Sequence, residues 1–140
     1  MTFLPVYLDT SAIVKLIVTE RETEALRSAL GRWPDRVSAA LAGVEVHRAL
    51  WRAGASRALR ARANAVIEGL VLIRLDEPIL ARAASFKHPR LRALDAIHLA
   101  AALTLGDDPD AFITYDVRLA QAADQRGLRV LHPGVDRLAG

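Results

Sequence analysis

Short strand-like segments alternate with helical ones along almost the whole chain, and that alternation constrains the fold more than anything else in the sequence. "PVYLDT", "VLIRL" (71–75), "AFITYD" and "LRVLHP" are short runs rich in β-branched or aromatic residues, so they read as strands. Between them the pattern turns helical. "SAIVKLIV" and "ETEALRSALG" predict two short helices, the second closed by Gly31. "RVSAALAGVEVHRALWRAG" begins as a brief strand and becomes a helix ending at Gly54, and "SRALRARANAVIEGL" returns as a helix capped by Ser56. "DEPILARAASF" takes Asp76 as its N-cap, "DAIHLAAALTLG" stops at Gly106, and "DVRLAQAADQRG" ends at Gly127. Strands joined through helices need crossover connections, which predicts an α/β fold. Its sheet is expected to be mainly parallel, four- or five-stranded, and flanked by helices on both faces.

A chain of 140 residues without a linker or repeat is expected to form one domain over residues 1–140. At that length a single core buries about 68–70% of the unfolded surface, so no staple is required. Cysteine is absent, which excludes a disulfide framework, a thiol nucleophile and a Cys-ligated metal, and fits a reducing cytosol. "MTFLPVYL" lacks a basic n-region with a cleavage site, and charges interrupt every apolar run before a membrane span is reached. The expectation is a cytoplasmic protein without a membrane partner. The net charge is only +3, so polyanion binding is allowed rather than demanded.

Four acids stand in positions that local structure does not ask for. In a parallel α/β sheet, ligands bind beyond the carboxyl ends of the strands, where strand order reverses. Asp9 ends "VYLD" and Asp116 ends "FITYD", so both are expected at that edge. Glu45 interrupts the apolar run "LAGVEVHRAL", and Asp95 begins the apolar helix "DAIHLAAAL". Each also has a plainer reading. Asp95 and Asp116 fit as helix N-caps, each contributing about 1 kcal/mol. Glu45 fits as a surface partner of Arg48, worth about 0.2–0.5 kcal/mol. Asp9 is harder to explain as a cap, because Thr10 or Ser11 would serve. Asp107, Asp108 and Asp110 precede a strand and read as solvated. Converging carboxylates repel by roughly 4 kcal/mol per pair at about 4 Å and an effective dielectric near 20. A divalent cation removes that conflict, and an all-oxygen donor set suits Mg²⁺ or Mn²⁺.

The set "YLDTSAIVKL", "VEVHRAL", "LRALDAIHLAAAL" and "FITYDVRLAQAADQRGL" resembles the PIN-domain ribonucleases of the VapC toxin type, from type II toxin–antitoxin pairs. The resemblance covers nearly the whole chain and implies a PIN-like fold. It also implies an acidic pocket of Asp9, Glu45, Asp95 and Asp116 that holds one or two Mg²⁺ or Mn²⁺ ions and hydrolyses RNA phosphodiester bonds through an activated water. An antitoxin partner and a homodimer are implied as well. Their contacts are expected on "SAIVKLIV", "ETEALRSAL" and the helix around Leu50 and Trp51.

Thr10, Ser11 and Thr114 are candidates to hydrogen-bond the carboxylates, although strand propensity alone explains Thr114. Arg48, beside Glu45, and Arg90 and Arg92, just before Asp95, are the candidates to hold RNA phosphates. Arg57, Arg60 and Arg62 read as solvated, and His98 as a packed histidine outside the catalytic set. Two rival readings stay open: a catalytically inert RNA-binding PIN-like module, and a haloacid-dehalogenase-like phosphotransferase, whose motif wants an Asp where this chain has Ser11.

Overall fold

The structure, a computed structural model, describes residues 4–138. Its centre is a sheet of five strands: β1 (Val6–Leu8), β2 (Arg36–Ala39), β3 (Val71–Ile73), β4 (Ala111–Ile113) and β5 (Val130–Leu131). They lie in the order β3-β2-β1-β4-β5, and every pairing is parallel, with Tyr7 opposite Val37 on one side and Phe112 on the other. The central strands are buried on both faces, which is why "VYL" and "AFI" carry no polar alternation.

Successive side chains of a strand point to opposite faces, so β1 seeds two cores. Val6 and Leu8 face helices α1 (Thr10–Ile17), α2 (Thr23–Leu30), α3 (Ala42–Arg52) and α4 (Arg57–Glu68), packing with Ile13, Leu26, Val46 and Leu50. Tyr7 faces the other way, toward α5 (Glu77–Ser85), α6 (Ala93–Leu103) and α7 (Val117–Gln125), where it packs with Leu99, Leu119 and Phe112. The Tyr7 and Phe112 rings stack 5.1 Å apart. On α3, Ala42, Val46 and Leu50 recur every four residues and form its buried stripe. The alanine run of α6 is buried almost all round, so this helix sits inside the molecule rather than on it.

Side-chain caps explain four of the helix starts. Asp9, Ser56, Asp76 and Asp116 accept the free amides of α1, α4, α5 and α7. Asp9 is thus itself the cap of α1, a role the sequence had suggested for Thr10 or Ser11. Asp95 is not a cap: α6 begins two residues earlier, after Arg92, which makes no capping bond. Asp116 lies beyond the end of β4 rather than on it, still at the carboxyl edge. Asp110 is not merely solvated, since it accepts the Trp33 indole N–H at 2.8 Å and lies 3.7 Å from Arg129. Among the described residues no helix is long and apolar enough to cross a membrane.

The chain steps outward from β1 through β2 to β3, then returns to place β4 on the other side of β1. Strand order therefore reverses between β1 and β4. The carboxyl ends of these two strands flank a crevice, and Asp9 and Thr114 stand at its two lips.

Candidate active site

Asp9 is 3% exposed, and a carboxylate so buried stays charged only if its oxygens are satisfied. They are. Oδ1 accepts from the Ser11 hydroxyl at 2.7 Å and the Ala12 amide at 3.0 Å, and Oδ2 accepts from the Thr114 hydroxyl at 2.6 Å. Burial pushes the Asp9 pKa up, while the His98 ring and these donors pull it back. The same hydroxyls also accept: Ser11 Oγ takes the Tyr115 amide, tying the start of α1 to the segment after β4, and Thr114 Oγ1 takes the Asp116 amide within that segment. Thr114 is therefore more than a strand former, because its hydroxyl joins the two lips of the crevice.

Glu45 turns inward instead of pairing with Arg48. Its Oε1 accepts from the Thr10 hydroxyl at 2.6 Å and lies 2.9 Å from His98 Nε2. His98 is 1% exposed, and its Nδ1 lies 2.7 Å from the Tyr7 hydroxyl. Burial raises the Tyr7 pKa well above its ordinary value, so this phenol stays protonated and donates to Nδ1. With Nδ1 accepting, Nε2 carries the proton and donates to Glu45, with Thr10 Oγ1 3.1 Å away. Burial works against the Glu45 charge, but the His98 and Thr10 bonds outweigh it and hold its pKa below the usual range. His98, set aside on sequence grounds, thus orients Glu45.

Asp95 sits in the first turn of α6, half-buried. Burial first, and then the charges of Asp116, Asp9 and Glu45, push its pKa up to about 6. Asp116 uses Oδ1 to accept the Arg118 and Leu119 amides, at 2.9 and 3.0 Å. All four acids, with Thr10 and Ser11, line one hollow of about 440 Å³. Lys15 stands at its rim, 2.9 Å from Glu22 and 3.3 Å from Glu20. Among the described residues, no three acid or histidine side chains are drawn closely enough together to ring an ion. The acids are walls of the hollow, with Asp9, Glu45 and Asp116 each fixed by its own hydrogen bonds.

The donor set fits a divalent cation. It is all oxygen and acidic, and the mutual repulsion that raises Asp95 is what a bound cation would relieve. The candidate RNA-binding arginines are not brought together. Arg48 is exposed on α3 near Glu45, its guanidinium 5.3 Å from the Trp51 ring centre. Arg92 is exposed at the start of α6, and Arg90 lines a separate hollow. Leu50 is buried in the core, which leaves Val44 and Trp51, 66% and 63% exposed, as the apolar face of α3.

A parallel sheet with an acidic crevice at its order reversal defines an α/β protein built to act on a ligand at the carboxyl edge of β1 and β4. Comparison with known proteins narrows the class. The PIN domain profile matches residues 6–125. Ribonuclease VapC46 of Mycobacterium tuberculosis is 45% identical over 128 residues, covering 91% of this chain and 97% of that protein. Ribonuclease VapC35 of the same species is 42% identical over 139 residues, covering 94% and 99%. Among solved structures, M. tuberculosis VapC20, described as a sarcin-ricin loop cleaving toxin, superposes with a TM-score of 0.73 at 16% identity, over 91% of this chain and 99% of that one. A chain from a Klebsiella pneumoniae toxin–antitoxin complex gives 0.61 at 21% identity, over 79% and 86%. This chain belongs to the PIN domain family, among its VapC ribonucleases.

Proposed function

We propose that this protein is a metal-dependent endoribonuclease, the toxin of a cytoplasmic toxin–antitoxin pair, folded as a single PIN domain. The observation that carries the reading is the crevice itself: four carboxylates from four separate stretches of chain line one hollow, where burial first and then the charges of the other three raise Asp95 to about 6. Relatives that are named ribonucleases and match nearly full length support the reaction class. Asp9, Glu45, Asp95 and Asp116 are the residues that would hold Mg²⁺ or Mn²⁺, as one ion or two. When bound, the cation supplies an activated water and neutralises charge on the phosphodiester.

The chain's own part is positioning. Ser11 and Thr114 fix the Asp9 carboxylate, and Thr10 and His98 fix Glu45, so neither acid reorganises when substrate arrives. Nothing in this arrangement asks for a side-chain nucleophile. Arg48 and Arg92, at the approach to Glu45 and Asp95, hold RNA phosphates without reading sequence. The exposed Val44 and Trp51 beside the crevice give an antitoxin or a second copy an apolar surface to cover.

The test incubates antitoxin-free protein with total cellular RNA in Mg²⁺, in Mn²⁺ and in EDTA, and repeats it with Asp9→Asn while mapping new 5′ ends. Discrete cuts that vanish in EDTA and in the variant are expected. RNA retained on the protein without any cut overturns the enzyme and leaves a binding module.

A further inference from the structure

A second hollow, of about 430 Å³, opens between the loop after α5 and the outer side of α6 and α7. Its lining includes Lys87, His88, Arg90, Gln121, Gln125 and Arg126, and no acid. None of its three fixed cations forms an ion pair among the described residues, where the salt bridges involve Lys15, His98 and Arg129. The Arg126 guanidinium lies 4.7 Å from the centre of the Phe86 ring, which holds it at the hollow's wall. His88 also lines the hollow, and its Nδ1 is buried with no hydrogen-bond partner among the described residues. Three unpaired cations and two amide side chains with no acid among them make an anion site.

Its place in the fold says which anion. Leu99, on its wall, stands one helical turn beyond Asp95 on α6, and Gln121 stands between one and two turns beyond Asp116 on α7. Asp95 lies in the first turn of α6 and Asp116 caps α7, so both helices lead from the catalytic crevice to this hollow. We propose that it is a phosphate site for the RNA chain, holding backbone one or a few nucleotides from the bond that is cut. Lys87 and Arg126 are its new contacts, and Arg90 belongs here rather than at the crevice. The inference rests on the ribonuclease reading. A phosphodiester backbone satisfies cations and amide donors through its oxygens alone, and Lys87, Arg90, Arg126, Gln121 and Gln125 supply both.

The test measures binding of a labelled single-stranded RNA to the full chain in EDTA across a salt series, with polyglutamate as a second probe. Lys87→Gln/Arg126→Gln is expected to weaken RNA binding about equally for unrelated sequences and to reduce the slope of log K against log salt by about 1.4, or 0.7 per lost contact. Arg57→Gln/Arg60→Gln, the same charge change on α4, should leave the slope unchanged. Lys87→Arg/Arg126→Lys, which keeps the charges, should retain it and guards against misfolding as the cause. An unchanged slope in the Gln pair overturns the inference, as does a loss confined to polyglutamate. If wild type still cuts RNA in Mg²⁺ while the Gln pair binds normally, this site alone falls; if wild type neither binds nor cuts, the ribonuclease reading falls with it.

Discussion

Asp95 carries the sharpest electrostatic consequence. Its pKa rises from an ordinary 3.8 to about 6 in the fold, so over that interval the folded chain holds a proton that the unfolded chain has released. Stability of the metal-free protein is therefore greatest below 3.8 as far as Asp95 is concerned and falls as pH climbs through about 6. Asp9, also raised, adds to the slope with the same sign. Urea midpoints in EDTA between pH 4 and pH 7 should show the decline, and Asp95→Asn should flatten it. A decline of equal steepness in the variant would assign it elsewhere. Thr114→Val tests positioning: it removes the Oδ2 donor of Asp9 at nearly constant volume, and Mg²⁺ affinity should drop about 10–100-fold in a calorimetric titration. The sequence offered Thr114 as a candidate partner of the carboxylates, but not which one it meets, since it is one β-branched residue among several, and it left His98 as one histidine on an apolar helix. Which hydroxyl meets which carboxylate depends on the registry of β1 with β4.

At the scale of elements, caps and turns can be tested apart from chemistry. Asp76 accepts the Ile79 amide at the start of α5, away from the crevice, so Asp76→Ala should cost about 1 kcal/mol of unfolding free energy and leave RNA cleavage unchanged. Gly134 has φ +88°, and a Cβ there would meet Ala25 at 3.1 Å and Glu22 at 3.2 Å on the α2 side. Gly134→Ala should cost about 1–3 kcal/mol in chemical denaturation, from the left-handed backbone and the clash together. Caps with Ser or Asp made the starts of α4, α5 and α7 readable in the sequence. The start of α6 was misplaced for the same reason: no Ser, Thr, Asn or Asp precedes Ala93, so Asp95 was the first residue that looked like a cap.

For the molecule as a whole, the exposed apolar face of α3 and the basic approaches are what a partner meets. Val44→Ser/Trp51→Ser replaces side chains already in water, so unfolding free energy should stay within about 0.5 kcal/mol of wild type. Association with the antitoxin should nonetheless weaken, read by titration of purified components. Equal affinity would move that interface elsewhere, with the exposed Val71, Leu72 and Leu80 around β3 and α5 the next candidates.

The alternation of apolar strands with capped helices was enough to specify a parallel α/β sheet, because strand and helix periods are local and crossovers follow from them. It was also enough to single out four acids, since a carboxylate in an apolar run is conspicuous wherever it falls. Only the tertiary structure decided what surrounds them. Asp9 and Thr114 become partners through the pairing of β1 with β4, and Glu45 meets His98 because α3 and α6, which pack on opposite faces of the sheet, both reach the crevice at its carboxyl edge. Periodicity reports which face of an element is buried. It carries no information about which side chain of another element will be waiting there.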